Sequence, residues 1–367
     1  MDERQLTEKL VGYDTSGVEG VKLCAGFING WLDAREIETH HLEIRGLPVT
    51  VADAGPADAP LTLLLHGHID VVPGHSEQFD ARIDGDRLLG RGAYDMKGAL
   101  ACMLLAVADL RDQDQVRVRL GIVPDEESEE EHERGGELLV DEGFVGDFAI
   151  TGEPTDMHVG VAAKGVVAMR VRVGGRAAHG ATPWLGENAI LRAIDVFRAI
   201  QSLPFASHSS ELFDRPSINL GRILGGDALN KVPDTCFIDV DVRHLPEQDP
   251  DAILAEVAEI PGATVVSTFR RAPAAVDPEL NFVRALCDAA APHHDGEVTS
   301  VGRDGASDAV AFLRAGIPAV EFGPVGGGHH GPEEWVSISS LASYRRAIVD
   351  FVNTLPARLA ADADGGA

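Results

Sequence analysis

LTLLLHGHIDVVP, residues 61–73, joins two kinds of information in one segment. Leu61 to Leu65 is an unbroken apolar run of the length expected for a strand buried on both faces, and polar side chains appear only where it ends, at His66, His68 and Asp70. Residues two apart on an extended segment face the same way, so His68 and Asp70 share a side. Neighbouring segments repeat the theme. Apolar spacing predicts helices over Val21–Leu32, Asp95–Leu110 and Gly135–Glu142, and strands over Thr39–Ile44, Val49–Ala52, Val116–Val123 and Phe148–Thr151. Strand and helix in alternation imply an α/β fold with both sheet faces covered. The polar clusters His68/Asp70, Asp125–Glu127 and Glu153 follow strand C-terminal ends, where open α/β sheets put their ligands.

From Lys164 the texture changes. Val166–Val173 alternates, Asn188–Ser202 is helical, Ser217–Leu224 and Thr235–Arg243 are strand-like, Pro250–Ile260 is helical and Thr264–Arg270 is strand-like. That order is compatible with a small antiparallel α+β unit inserted at 164–271 into a larger domain made of 1–163 and 272–367. Helices at Pro278–Ala290, Asp308–Ala315 and Ser340–Asn353 and a strand at Ala319–Phe322 resume the earlier style, and the tail LAADADGGA is expected to fray.

The chain has 367 residues, enough for two or three domains at roughly 150 residues each. With 44% hydrophobic and 25% charged residues it is globular rather than disordered. Fifty-nine acidic residues against 31 basic ones leave a net charge of −28, a field that repels phosphate backbones and anionic lipid, so neither nucleic acid nor membrane is an expected partner. Four cysteines stand far apart with no CxxC pair, which points to reduced thiols and a cytoplasmic location; the charged N-terminus MDERQLTEKL lacks a signal peptide's apolar run.

The polar residues, read in order, are HGHID at 66–70, Asp95 in GRGAYDMKG, the pair Glu126–Glu127 in PDEE, Glu153 in TGEPT and His330 in HHGPEEW. Each alone reads as a surface or strand-end residue. Together they form a mixed nitrogen and oxygen donor set suited to Zn²⁺ or a similar first-row ion.

This ordered set resembles the acetylornithine deacetylase and succinyl-diaminopimelate desuccinylase family, within the co-catalytic zinc aminoacylases and carboxypeptidases, over nearly the whole chain. The resemblance implies a metallopeptidase-type α/β catalytic domain with a central mixed sheet and flanking helices. It also implies that the inserted α+β (ferredoxin-like) unit is a lid and dimerisation domain. Carried over by residue, Asp95 bridges two divalent ions, most simply Zn²⁺ with Co²⁺ or Mn²⁺ able to share the ligands, His68 and Glu153 holding one and Glu127 and His330 the other. Two such ions and three carboxylates leave the site at +1 before water binds, enough to bring a bound water's pKa to about 7.

Glu126 is then the expected general base and acid, and Asp70 the acceptor that orients the His68 imidazole. Counting back from Glu334 places the ligand at His330 rather than His329. GRAAHGATPWLGENAI (175–190) resembles the segment whose histidine, here His179, reaches the partner subunit's site to stabilise an oxyanion. GGDALNKVPDTCFIDVDVR (225–243) resembles the one supplying Asn230 and Arg243 to substrate; an arginine fork suits a carboxylate. The plainer alternatives are an exposed lid residue for His179 and a sheet-face ion pair for Arg243. His66 and Lys97 are read as structural.

The resemblance implies a homodimeric hydrolase of an N-acyl amino acid or peptide. The leading expectation is N-succinyl-diaminopimelate, in lysine and diaminopimelate biosynthesis, ahead of an acetylornithine-type deacetylase of arginine biosynthesis and of a dipeptidase or carboxypeptidase. The acidic stretch SEEEHERGG (128–136) departs from the family's shorter turn and is expected to bulge into solvent. A serine hydrolase is disfavoured because GASDA (305–309) lacks the last glycine of G-x-S-x-G, and no segment makes a P-loop. The non-enzyme alternative is a degenerate binding module, against which stand Glu126 and the five intact ligands.

Overall fold

A computed structural model describes residues 1–127 and 134–365. Residues 128–133, most of the acidic stretch expected to bulge, lie outside the described residues. The chain forms two compact units, one of Met1–Val161, Val276–Val301 and Asp308–Ala367, the other of Ala162–Ala275 and Gly302–Ser307.

In the first unit the strands lie in the order Glu38–Ile44, Leu47–Ala54, Val116–Val123, Leu61–His68, Phe148–Thr151, Ala319–Glu321 and Val159–Ala163. The centre of this mixed sheet is parallel: Leu61–His68 pairs in that sense with both Val116–Val123 and Phe148–Thr151, which in turn pairs with Ala319–Glu321. Leu63, Leu64 and Leu65 are fully enclosed there. Helix Gly98–Asp109 is apolar all round and buried from Gly98 to Val107, as such a helix must be.

Two expectations are corrected here. The helix expected from Asp95 begins at Gly98, because Asp95 and Met96 hold non-helical backbone with φ near −120 and −129°. The tail is helical as far as Gly365, continuing the last helix Ile338–Gly365, whose anchors, Leu341, Tyr344, Ile348, Phe351 and Leu355 at helical spacing and an Arg358–Asp288 pair at 2.6 Å, all precede it. Short strands Arg82–Asp84, Arg87–Leu89, Gly326–Gly327 and Trp335–Ser337 make a separate sheet. At two or three residues each they are too brief for periodicity to reveal.

The second unit is one antiparallel sheet in the order Ser217–Gly225, Thr235–His244, Gly165–Gly174, Ala263–Arg271, covered by helices Ala189–Ile200 and Pro250–Ala258. That is the ferredoxin-like arrangement. Thr235–His244 alternates buried with partly exposed residues, and its inward Ile238, Val240 and Val242 meet Val167, Val171 and Ile253. Gly302–Ser307 joins this unit through an Asp304 carboxylate 2.7 Å from the buried Lys164 ammonium. All four cysteines are free, and no described helix is long and apolar enough to cross a membrane.

Asp53 ties the sheet's antiparallel edge, accepting from Arg117 and Arg119 at 3.0 Å each. Burial pushes this carboxyl up, but the two guanidinium groups outweigh burial and hold it below its ordinary value. Asp53→Ala leaves the buried Arg119 and the half-buried Arg117 without their carboxylate and is expected to cost about 3 kcal/mol in urea melts at neutral pH. A lowered folded-state pKa contributes above the unfolded value, so wild type and variant should converge as pH falls below about 4. Equal unfolding midpoints at pH 7 would contradict this.

Candidate metal centre

Three neighbouring parallel strands deliver their C-terminal ends to one edge: Leu61–His68 ends on His68, Val116–Val123 leads to Glu126 and Glu127, and Phe148–Thr151 leads to Glu153. The His68 Nδ1 lies 2.9 Å from the Asp70 carbonyl oxygen and 3.5 Å from its carboxylate. Asp70 thus faces the imidazole as expected and has a second task besides. Its carbonyl and carboxylate both face the imidazole, and the carboxylate also accepts from the Glu126 and Glu127 N–H groups at 3.2 and 2.8 Å and so fixes the turn that carries both glutamates.

Asp95 reaches the same edge on the segment before helix Gly98–Asp109. A residue that sequence reading used only for counting, Glu334, sets its course. The buried Glu334 carboxylate accepts from the backbone N–H groups of Gly92, Tyr94 and Asp95 at 3.0–3.1 Å and from Arg91 at 2.7 Å. Those bonds replace helical ones, which is why the helix starts late. Gly92 turns the chain with φ of +78°, where a Cβ would lie 2.6 Å from Val71. The available signal was an arginine and a glutamate, each beside a candidate ligand in Gly- or Pro-containing sequence.

The Asp95 carboxylate divides its two oxygens. Oδ1 lies 3.2 Å from His68 Nε2, which is 3.6 Å from Glu153; Oδ2 lies 3.2 Å from His330 Nε2, which is 2.8 Å from Glu127. His329, set aside in the sequence reading, also arrives, with Nε2 2.5 Å from the same Oδ2. Burial pushes the Glu153 and Glu126 carboxyls well above the usual range, helped respectively by Asp95 and Asp308. Hydrogen bonds that it donates to Asp95 and Glu127 raise His330 to about 10. The cluster thus draws positive charge to itself. Buried carboxylates interleaved with imidazoles fit divalent cations: His68, Asp95 and Glu153 offer ligand atoms within 4.8 Å of one another, as do Asp95, His329 and His330.

Glu126 extends beside these donors, with Arg134 3.7 Å away; Arg134 stands 3.8 Å from Asp308. His66 is fully buried, with Nδ1 3.2 Å from Thr151 Oγ1, and the enclosed Lys97 donates to the Tyr13 carbonyl at 2.8 Å, both structural contacts. His179, Asn230 and Arg243 belong to the second unit. The first two share a corner: the Gly180 N–H donates to the Asn230 carbonyl at 2.7 Å, and His179 and Asn230 are both exposed. Arg243 lies at the far end of strand Thr235–His244 with Nε bonded to Asp241 at 3.1 Å, the sheet-face pairing named above as its alternative.

A donor set of this kind at the parallel strand ends of an α/β unit defines a metal-dependent hydrolase of amide bonds. The chain belongs to peptidase family M20/M25/M40, whose sequence profile matches residues 64–354. It is 26% identical to a probable succinyl-diaminopimelate desuccinylase of Staphylococcus aureus (strain MRSA252) over 87% of this chain and 89% of that protein. It is 32% identical to a probable carboxypeptidase of Emericella nidulans over 65% and 64% of the two chains. The structure of a Staphylococcus aureus tripeptidase shares the fold with a TM-score of 0.78 at 20% identity, covering 96% of this chain and 98% of that one.

Removing the Glu334 carboxylate in Glu334→Ala leaves the buried Arg91 charge and three N–H groups without their acceptor. The variant is expected to lose about 3–5 kcal/mol in stability and to retain less metal after dialysis than wild type. Melting curves and elemental analysis check both. Wild-type values in the two measurements would show that Glu334 does not set the Asp95 backbone.

Proposed function

We propose that this chain hydrolyses the amide bond of an N-acyl amino acid at a two-metal centre, with N-succinyl-diaminopimelate the leading substrate and lysine and diaminopimelate biosynthesis in the cytoplasm its setting. The supporting observation is the divided Asp95 carboxylate, one oxygen toward His68 and the other toward His330. His68, Asp95 and Glu153 would hold one ion, and Asp95, Glu127 and His330 the other, with Zn²⁺ the expected metal and Co²⁺ or Mn²⁺ able to take its place. Bound there, such ions supply Lewis acidity toward an amide carbonyl and acidify water.

The protein's own groups complete the reaction. Glu126, outside the proposed ligand set, accepts a proton from water on its carboxylate and returns it to the nitrogen of the departing amine. Asp70 and Glu334 keep the donors in place through main-chain bonds. Asn230 and, on release from Asp241, Arg243 would bind the substrate carboxylate, and in a protein of net charge −28 an anionic substrate needs a local cation such as Arg243. A homodimer through the inserted unit would bring the partner subunit's His179 to the oxyanion. Exposed Trp184, Leu185, Leu191 and Leu229 on that unit support such a face. A peptidase is the second reading, favoured by the carboxypeptidase relative.

Glu126→Gln is expected to keep its metal while losing about 10²–10⁴-fold in kcat; retained activity would name another base. N-succinyl-diaminopimelate should turn over faster than acetylornithine or simple dipeptides on the metal-loaded protein. Preference for dipeptides would move the reading to a peptidase, and no turnover of any would leave a binding module. Dilution below the dimer's dissociation constant should abolish activity, so a fully active monomer in sedimentation-coupled assays would remove His179 from the mechanism.

A further inference from the structure

We propose that His329, together with His330, ligates the ion held by Asp95 and Glu127, so that the two cations occupy unlike donor sets. The inference rests on the two-metal reading above. Adjacent residues on an extended chain point to opposite faces, and a single histidine would then be the most such a segment could offer. Here the chain is bent. His330 has φ of +56°, in the left-handed region that a residue with a Cβ rarely enters, and Gly328 has φ of +74°. The Gly331 N–H donates to the Gly328 carbonyl at 2.7 Å and closes the turn.

The bend places both imidazoles on one side of the loop, edge to face with ring centroids 4.2 Å apart. Both Nε2 atoms address the same Asp95 oxygen, at 2.5 Å from His329 and 3.2 Å from His330. Their ligand atoms and that of Asp95 lie within 4.8 Å of one another. Bonds of about 2.0–2.1 Å to a central ion need donors no more than about 4 Å apart, a small adjustment for two exposed rings. Behind them the Tyr94 ring stands 6.5 Å from His329, and its hydroxyl donates to Asp156 at 2.8 Å. Asp156 also accepts the Gly326 N–H at 3.1 Å, tying down the start of the loop.

With Asp95 shared, one ion has one imidazole and two carboxylates, and the other has two imidazoles and two carboxylates. The nitrogen-richer position should hold Zn²⁺ more tightly, and the oxygen-richer one should exchange more readily, including with Mn²⁺.

The test is metal binding to the full-length apoprotein, by Zn²⁺ titration against a chromogenic chelator and by Co²⁺ loading followed in the visible spectrum. Wild type should bind two ions in steps separated by tenfold or more, and His329→Ala should weaken the tighter step by roughly tenfold or more and change its cobalt band. Wild-type affinities with an unaltered cobalt spectrum in His329→Ala would overturn the inference. His330→Ala should keep the second ion, at reduced affinity, through His329; complete loss of that ion would overturn it too. Glu127→Ala distinguishes loss of the His329 ligand from loss of the second ion's site. If it loses an ion while His329→Ala behaves as wild type, only His329 is excluded; if it binds both ions as wild type does, the two-metal ligand set itself fails.

Discussion

Asp95, Glu126, Glu127 and Glu153 converge where water has limited access, and like charges so placed cannot all stay ionised on protons alone. The strain is visible in Glu126 and Glu153, driven well above the ordinary carboxyl range, and in His330, drawn up to about 10. Cations bound as proposed would resolve the conflict at its centre, the Asp95 carboxylate facing one ion with each oxygen. Much of the first unit serves to impose this crowding. Parallel strands align their ends, and a buried apolar helix braces the segment beside them.

Two further carboxylates act through the main chain. Asp70 accepts two N–H groups of the Glu126–Glu127 turn, and Glu334 accepts three from Gly92 to Asp95. Such bonds to a charged acceptor are stronger than neutral ones. Rigid backbone matters here because donors that must meet an ion at fixed distances gain nothing from mobile loops. The centre therefore has an inner set of side chains that would touch ions and an outer set that determines where the inner ones stand.

The run from Leu61 to Leu65 was legible because burial on both faces demands continuous apolar residues, and the donors were legible because they follow such runs. The inserted sheet was legible for the complementary reason: one face of Thr235–His244 is covered and its sequence alternates. What stayed hidden depends on contacts distant in sequence. Nothing local says that Glu334 will cap the backbone of Gly92, or that Asp95 will leave the helix its neighbours favour. The Asp70 carboxylate reads from sequence as the partner of the nearest imidazole, and nothing local says that two amides over fifty residues away also bond to it. His329 was set aside by motif counting, which is blind to a left-handed residue that swings two consecutive rings to one side.

The central claim is that a single aspartate joins two cations. Anomalous diffraction at the zinc edge from crystals of the zinc-loaded protein tests it most directly. Two peaks about 3.5–4 Å apart, each beside one oxygen of Asp95, are expected. A single peak, or peaks that do not share Asp95, would contradict it.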